Sequence, residues 1–377
     1  MKTSALGWKM NFRTLCVSFV ILLIIISFIS CSQQKTEWKG TVEEVDGVTV
    51  VKNPLEPMYG EDVFNLEEDL SIGKANGKEE YVFSRLWYLT VDDEGNVYAM
   101  DQGETHVKVY DKNGTFLKSI GRKGGGPGEL LHPNKIFTTS DNQLVIEDFI
   151  RNLTYYSLDG KYIKAQSTAK IFPVGILVNS KGHILAITNI NEPNKSGKEI
   201  VLYDENLNYL KTIISIPKPK PNPQILKPFQ SEINWALSKD NNIIISFKGD
   251  YELQVFNAQG DLVKKITKEY EPVRITKEDV EQRVRRVPES RKLVVPKNFP
   301  PIHSLTTDDE GRIFVRTYEK AEERKYYNDV LDSEGRFIAK VPLKDRLQVW
   351  KKNKLYTIEE DEDGFQMVKR YKVTWKY

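Results

Sequence analysis

The chain has 377 residues, of which 40% are hydrophobic and 29% charged, with 55 lysines and arginines against 53 aspartates and glutamates. This near-neutral balance excludes the strongly basic surface on which nucleic-acid binding usually depends. Both cysteines, Cys16 and Cys31, lie at the N-terminal end, so the rest of the chain has no disulfide, no cysteine metal site and no cysteine nucleophile. A fold of this length must therefore be stabilised by its hydrophobic core.

The first thirty-one residues have the order of an export signal. A basic start is followed by the almost wholly apolar Leu15–Ile29 and then by Ser30 and Cys31. Phe28–Cys31 resembles a bacterial lipobox, which implies a lipid on Cys31 of the mature protein, and the serine that follows implies sorting to an outer membrane. The alternatives are simple secretion or an uncleaved anchor, although the apolar run is shorter than the ~20 residues of a spanning helix. We predict a lipid-anchored protein of the bacterial cell envelope that faces the periplasm or the exterior.

A strand-rich unit then recurs about six times. Leu86–Gly121 and Pro133–Lys164 both read as strand, turn, strand, polar loop, strand, turn, strand. Turn dipeptides such as Asn113-Gly114 supply the positive-φ positions of two-residue hairpins. Apolar runs such as Ile243–Ile245 are typical of strands that are covered on both faces. The period predicts an all-β, six-bladed β-propeller with four antiparallel strands in each blade.

The predicted organisation is a signal peptide at 1–31, an N-terminal segment at 32–85 and the propeller at 86–377. The last repeat lacks a clear second turn, so a strand from elsewhere must complete the sixth blade. We expect Gly40–Lys52, with Val63–Leu66, to do this and to close the ring, because closure removes exposed sheet edges. Two insertions interrupt the rhythm: an extended Pro/Lys-rich segment at 217–228, and residues 271–301, where Thr276–Asp279 predicts the start of a short basic helix.

One inter-blade segment carries a family resemblance. Gly121–Pro133 (GRKGGGPGELLHP) resembles the corresponding segment of NHL repeats. With the lipobox-like start, the chain is similar to bacterial six-bladed β-propeller lipoproteins related to NHL-repeat proteins. The resemblance covers Gly40–Tyr377 and is sharp around Leu86–Lys164. It implies a fold more than a function, because most members of that family have no assigned activity. RNA binding, known for some NHL domains, is excluded here by the export signal and the charge balance.

Catalytic motifs are scarce in the sequence. It contains no Gly-x-Ser-x-Gly element. The glycine-rich Gly121–Gly128 lacks the ending of a P-loop, and Pro127 removes a backbone N–H that a phosphate cradle would use. Aspartates in the turns are interpreted as caps of their own backbone, and Glu147 and Asp148 are the weaker cases of this interpretation. We predict no catalytic residues.

The histidines give no metal-binding pattern. They are spread one to a blade region and never occur at ligand spacing, and they are His106, His132, His183 and His303. We therefore predict no metal and no cofactor. The alternative is a metal-dependent hydrolase or lyase, similar to gluconolactonases or amidating lyases, with Ca²⁺ or Zn²⁺ in the central channel. His132 and His303 lie near the starts of inner strands, so under this alternative they are the candidates to converge there.

The loops predict where a partner binds. In an up-and-down blade both tight turns fall on one end of the ring, and nearly every long or unusual segment falls on the other, which we name the long-loop face. Arginine suits bidentate binding of carboxylate or phosphate groups. The candidate partner-binding residues on this face are Arg122, Lys123, Arg151, Arg283, Arg285, Arg286 and Arg316. We predict a non-catalytic binding or scaffold module for a protein, peptide or glycan; the alternative is a set of scattered solvated charges.

Overall fold

β-strands make up most of the described part of the chain. The computed structural model describes residues 37–74, 77–149, 152–192, 195–220, 222–230, 232–284, 291–322, 325–344 and 348–377. The predicted export signal and Cys31 lie outside these residues. Within them, no helix is long and apolar enough to cross a membrane.

The first half of the strands forms the N-terminal segment and three blades. The N-terminal strands are β1 (Thr41–Val45), β2 (Val48–Asn53) and β3 (Phe64–Ile72). Blade one comprises β4 (Leu86–Val91), β5 (Val97–Asp101), β6 (His106–Tyr110) and β7 (Phe116–Ile120). Blade two comprises β8 (Pro133–Thr138), β9 (Gln143–Asp148), β10 (Asn152–Ser157) and β11 (Tyr162–Ser167). Blade three comprises β12 (Gly175–Val178), β13 (Ile184–Glu192), β14 (Lys195–Tyr203) and β15 (Tyr209–Lys218).

The second half contains the two insertions and three more blades. The first insertion contributes β16 (Ile225–Leu226), and blade four comprises β17 (Asn234–Leu237), β18 (Ile243–Ser246), β19 (Glu252–Phe256) and β20 (Leu262–Lys268). The second insertion contributes the helix α1 (Lys277–Val284) and β21 (Lys292–Leu293). Blade five comprises β22 (Ser304–Thr307), β23 (Ile313–Lys320), β24 (Lys325–Leu331) and β25 (Phe337–Lys344). Blade six comprises β26 (Gln348–Lys351), β27 (Lys354–Glu360), β28 (Gln366–Trp375) and, as its fourth strand, β3. Two short 3-10 turns lie at Glu61–Val63 and Glu79–Tyr81. The six-bladed, all-β prediction is confirmed.

An N-terminal strand closes the ring, and of the two expected segments it is the second: β3 begins within Val63–Leu66 and continues to Ile72. β3 pairs antiparallel with β28, from Ile72 opposite Val368 to Phe64 opposite Trp375. β3 thus takes the place of a fourth strand that a second tight turn would join to β28.

The assignment of Gly40–Lys52 to blade six is wrong. β1 and β2 form a hairpin, and β2 runs parallel to β20 at the outer edge of blade four. The hairpin is held there because the side chain of Val51 is buried in the core of that blade. The side-chain amide of Asn53 also donates to the backbone oxygen of Gly335 at 2.9 Å and accepts from the backbone N–H of Phe337 at 2.7 Å.

The core lies between the blades. Every residue of β5 is buried, and its Tyr98 and Met100 pack with Ile136 and Ile146 of blade two. This contact repeats around the ring, so second strands are covered on both faces, as their continuous apolar runs indicate.

The first tight turn of blade one, Asp93-Glu94-Gly95, is capped by the side chain of the preceding residue. Asp92 accepts hydrogen bonds from the backbone N–H groups of Glu94 and Asn96, at 3.0 and 2.8 Å. The next aspartates link neighbouring blades instead: Asp93 pairs with Lys351 at 2.8 Å, and Asp309 accepts from the backbone N–H of Lys352 at 2.8 Å. In α1, Thr276 and Asp279 cap each other's backbone N–H groups, which is the capping box that the sequence indicates.

Candidate functional site

Blade three extends beyond its neighbours on the long-loop face. Its strands β13 to β15 are 9 or 10 residues long, whereas those of blades one and two have 5 or 6. The pairing of β13 with β14 continues to Asn191 opposite Ser196, and β14 pairs with β15 as far as Lys218. At Gly197 a Cβ would lie 2.3 Å from the backbone oxygen of Ile216, so only glycine permits this close approach.

A cleft of about 720 Å³ lies between this extension and the first insertion. We name it the lysine cleft. Its lining residues come from β13 to β15, from the first insertion and the residues just after it, and from the loop that follows β18, and they are Asn189, Ile190, Asn191, Ser196, Gly197, Lys198, Lys218, Pro219, Lys220, Asn222, Ile225, Lys227, Gln230 and Phe247. The volume falls within the range of about 300–1,000 Å³ that is typical of ligand sites.

The charge of the lysine cleft is one-sided. Four of its lining residues are lysines, Lys198, Lys218, Lys220 and Lys227, and none of the described lining residues carries a carboxylate. The amide side chains of Asn189, Asn191, Asn222 and Gln230 add groups that both donate and accept hydrogen bonds. Clustered charges of one sign in a concave site focus the electrostatic potential, so this cleft attracts anions.

The two insertions meet and form one continuous cover. β16 and β21 pair in parallel, and the backbone N–H groups of Lys292 and Val294 donate to Gln224 and Leu226 at 2.8 and 2.9 Å. Because Ile225 and Lys227 line the lysine cleft, the second insertion supports one wall of it.

Aromatic rings continue this cover toward blade five. The ring of Phe299 packs edge-on to Phe229 at 5.5 Å and stacks on Tyr318 at 4.3 Å. α1 is joined to the same blade by an ion pair between Asp279 and Lys320 at 3.2 Å. The sequence gives no sign that the two insertions contact each other.

Two of the predicted binding residues lie between blades one and two. Arg122 is exposed and pairs with Glu129 at 2.9 Å. Lys123 forms a backbone bridge with Leu130. The backbone N–H of Gly126 also donates to Glu129, which explains how this glycine-rich segment folds as a turn.

The other described candidates lie beside blade five. Arg283, in the last turn of α1, is exposed, whereas Arg316 ends the run of buried residues in β23 and is only 9% exposed, with its guanidinium over the ring of Tyr326 at 4.2 Å. Arg316 is therefore not a surface residue. Burial raises the pKa of Tyr318, and the charges of Arg283 and Arg316 oppose that shift. Arg151, Arg285 and Arg286 lie outside the described residues.

Hence the structure does not gather the described candidates into one patch, because Arg122 and Lys123 lie between blades one and two, whereas the others lie beside or within blade five. The sequence interpretation did not assign Lys198 or Lys227 to a site. The only feature of the sequence that pointed to this cleft was the Pro/Lys-rich composition of residues 217–228. Lys198 of β14 reaches the cleft through strand pairing, which composition does not reveal.

The two acidic residues at the end of β9, Glu147 and Asp148, have structural roles. Asp148 accepts hydrogen bonds from the backbone N–H groups of Leu131 and His132, at 2.8 and 3.1 Å. Burial raises the pKa of Glu147, and the charge of Lys135 and a 3.0 Å hydrogen bond from Asn134 partly oppose this rise. These contacts support the interpretation of both acids as parts of the fold.

The histidines lie apart in the structure. His106 belongs to the third strand of blade one, where burial lowers its pKa, and His183 lies at the first tight turn of blade three. His132 and His303 precede the first strands of blades two and five, at separate inter-blade crossings. Within the described ranges, no group of three or more histidine, cysteine, aspartate or glutamate side chains could hold a metal ion.

Comparison with known proteins agrees with the architecture. The profile of the DUF5128 family, described as "6-bladed beta-propeller", matches residues 77–367. A solved structure of a Bacteroides fragilis protein described as exported has a TM-score of 0.56 and 13% identity, and the match covers 87% of this chain and 100% of that one. A member of the DUF4221 family from Bacteroides vulgatus has a TM-score of 0.51 and 10% identity, with 84% and 100% covered. At such low identity these similarities show the fold alone.

One curated relative matches a shorter segment. The Drosophila melanogaster protein named Brain tumor is 22% identical over 138 residues, which are 36% of this chain and 13% of that protein. The chain therefore spans only a small part of that relative.

Proposed function

The chain belongs to this DUF5128 family of six-bladed beta-propellers, and we propose that it is a non-catalytic binding module that captures a carboxylate-bearing polymer through its long-loop face. The observation that carries the proposal is the lysine cleft, with four lysines and no described carboxylate in its lining. An acidic peptide and an acidic glycan share the chemistry that this site recognises.

The shape of the cleft supports a polymer as the ligand. It is formed by an extended hairpin on one side and a Pro-rich segment on the other, so its walls are elongated. Lysines along such walls can contact successive carboxylates, and the interleaved amides can bind the backbone of a peptide or the hydroxyl groups of a glycan.

The test is a binding measurement on the full chain with two probes, fluorescent poly-L-glutamate and polygalacturonate. We expect binding to weaken with salt, since exposed charges are screened over a Debye length of about 8 Å at physiological ionic strength. Reversing three charges together, in a Lys198→Glu, Lys218→Glu, Lys227→Glu variant, should weaken binding by at least about tenfold.

A matched variant changes the same number of charges on the other end of the ring. Lys112, Lys161 and Lys181 are exposed residues of the tight turns. Their replacement by glutamate should leave binding within about twofold of the original protein. If both triple variants weaken binding equally, only net charge matters and the lysine cleft is not the site.

We also propose that the protein is exported and carries a lipid on Cys31, from the lipobox-like sequence alone. Labelling of expressing bacteria with a radioactive fatty acid should mark the protein, and a Cys31→Ser variant should remain unlabelled. Equal labelling of both proteins would contradict the assignment of the anchor.

A further inference from the structure

A second cavity, of about 340 Å³, lies between blades four and five on the long-loop face. We name it the blade-five pocket. Its lining residues come from the segment after β2, from both blades and from the second insertion, and they are Leu55, Glu56, Pro57, Tyr251, Lys268, Tyr270, Glu271, Pro272, Val273, Pro300, Pro301, Thr317, Tyr318, Glu319, Asp329 and Lys340. It shares none of these residues with the lysine cleft.

Three buried polar side chains form one end of this pocket. The hydroxyl of Tyr251 donates to Oδ2 of Asp329 at 2.8 Å, and the ammonium of Lys268 lies 3.4 Å from the same oxygen. The side chains of Lys268 and Asp329 are only 6% and 4% exposed. Burying a charged pair is costly, and the core could have been filled by apolar residues instead. A polar group of this kind beside a cavity is therefore a candidate recognition element.

The protonation states of Tyr251 and Asp329 determine which hydrogen bonds they can form. Burial raises the pKa of Tyr251 well above its usual value, so the hydroxyl stays protonated and donates. Burial also raises the pKa of Asp329, and the charge of Lys268 opposes that rise. Both of these contacts of the carboxylate are made by Oδ2, and Asp329 is one of the residues that line the pocket.

Four of the six charged lining residues are paired with each other, and the other two, Glu56 and Glu271, are exposed. Lys268 lies against Asp329, and Lys340 forms an ion pair with Glu319 at 2.6 Å. A charged group of a ligand placed at Asp329 or Lys340 would have to break one of these pairs. An apolar ligand would cover the polar end of the pocket without forming any hydrogen bond to it.

The rest of the lining includes rigid groups with apolar surface. They include the rings of Tyr270 and Tyr318 and four prolines, Pro57, Pro272, Pro300 and Pro301. Tyr318 is held in place by its stacking on Phe299. Prolines and braced rings lose little conformational freedom when a ligand binds, and ring faces suit the C–H surface of a cyclic molecule.

From this arrangement we propose that the blade-five pocket binds one uncharged, polyhydroxylated ring, which is the chemical class of a neutral sugar residue or a cyclic polyol. Hydroxyl groups of such a ring can both donate to Asp329 and accept from Lys268, while its C–H face lies on the tyrosine rings. The volume lies at the small end of the range of about 300–1,000 Å³ for ligand sites, which suits one ring.

The test uses the full chain and saturation-transfer NMR with individual neutral probes: the methyl glycosides of glucose, galactose and mannose, N-acetylglucosamine and myo-inositol. We expect saturation transfer to at least one probe at about 10 mM, since a Kd near 1 mM corresponds to only about 4 kcal/mol. The charged analogues glucuronate and glucosamine should bind at least about tenfold more weakly. No transfer to any neutral probe, or equal binding of the charged analogues, would overturn the proposal.

Variants locate the site. Asp329→Asn keeps the volume of the side chain and should weaken binding of the positive probe at least about tenfold, whereas Asp261→Asn, which changes an exposed acid on blade four, should not. If Asp329→Asn does not fold, a Tyr270→Ala variant tests the same pocket, because Tyr270 is only partly buried. Its control is Tyr209→Ala, at an exposed tyrosine of blade three. Unchanged binding in a folded Asp329→Asn or Tyr270→Ala protein would refute the site. The lysine cleft variants should bind the probe normally, so the two proposals fail separately.

Discussion

Closure of the ring through β3 makes Ile72 a sensitive position for the stability of the whole propeller. Ile72 is 1% exposed and packs with Leu86, Val97 and Val368, where blade six meets blade one. A Cβ on Gly114, in the second tight turn of blade one, would lie 3.3 Å from Cγ1 of Ile72. The side chain therefore contacts both blades that flank the closure.

We expect Ile72→Ala to lower the free energy of unfolding by about 3–4 kcal/mol. The substitution removes about three methyl or methylene groups, and transfer of each from water is worth ~0.8 kcal/mol. The cavity left behind adds to this loss, and substitutions of this kind in packed cores cost about 2–5 kcal/mol. Rigid blades on both sides limit how far the site can collapse around the alanine.

Urea unfolding of the full chain, followed by tryptophan fluorescence, measures this change. Trp350 and Trp375 belong to the core around blade six, and the ring of Trp375 lies 4.8 Å from Phe64 of β3, so the signal reports on the closure. The control is Val42→Ala in β1, where the side chain is 58% exposed and the expected loss is under about 0.5 kcal/mol. If Ile72→Ala loses no more stability than this control, β3 does not hold the ring closed.

Two further predictions concern buried acids. Asp92→Ala should cost about 2–4 kcal/mol in unfolding free energy, because three donors lose their acceptor: the backbone N–H groups of Glu94 and Asn96 and the hydroxyl of Tyr98. The control is Asp111→Ala, which removes the same kind of cap from an exposed turn. Water can replace the cap there, so this variant should cost about 1 kcal/mol or less. Burial raises the pKa of Glu147 in the folded protein, so its neutral form stabilises the protein at low pH and this contribution is lost as pH rises above 4.5. In urea unfolding, the original protein should therefore lose stability between pH 4.5 and 7.5 relative to the Glu147→Gln variant. Parallel curves of unfolding free energy against pH for the two proteins would contradict the burial argument.

Much of the fold follows from local sequence features. A turn such as Asn113-Gly114 needs a positive φ, which is 81° at Gly114, and each turn joins strands that are neighbours in the chain. Apolar runs such as Val97–Met100 predict burial because both faces of the strand are covered. Blade number, strand order within a blade and the helix start at Thr276 could therefore be predicted.

Pairing between distant segments could not be predicted in this way. Both β2 and β3 have strand-like sequences, and neither shows that β3 joins a strand about 300 residues later while β2 joins blade four. Which strand fits which edge depends on the side chains of both partners, such as Ile72 against Val368, and these meet only after the ring has formed.

The same distinction between local pattern and distant pairing applies to the candidate sites. The sequence pattern alone indicated a propeller with long loops on one end and without a cysteine framework, because turns and repeats depend on residues that are close together in the chain. Only the tertiary structure brought Lys198 of β14 beside Lys227 of the first insertion, joined that insertion to the second through β16 and β21, and placed Asp329 against Lys268 and Tyr251. The physical reason is that a binding site depends on distances between residues far apart in the chain, and packing of the blades alone sets those distances.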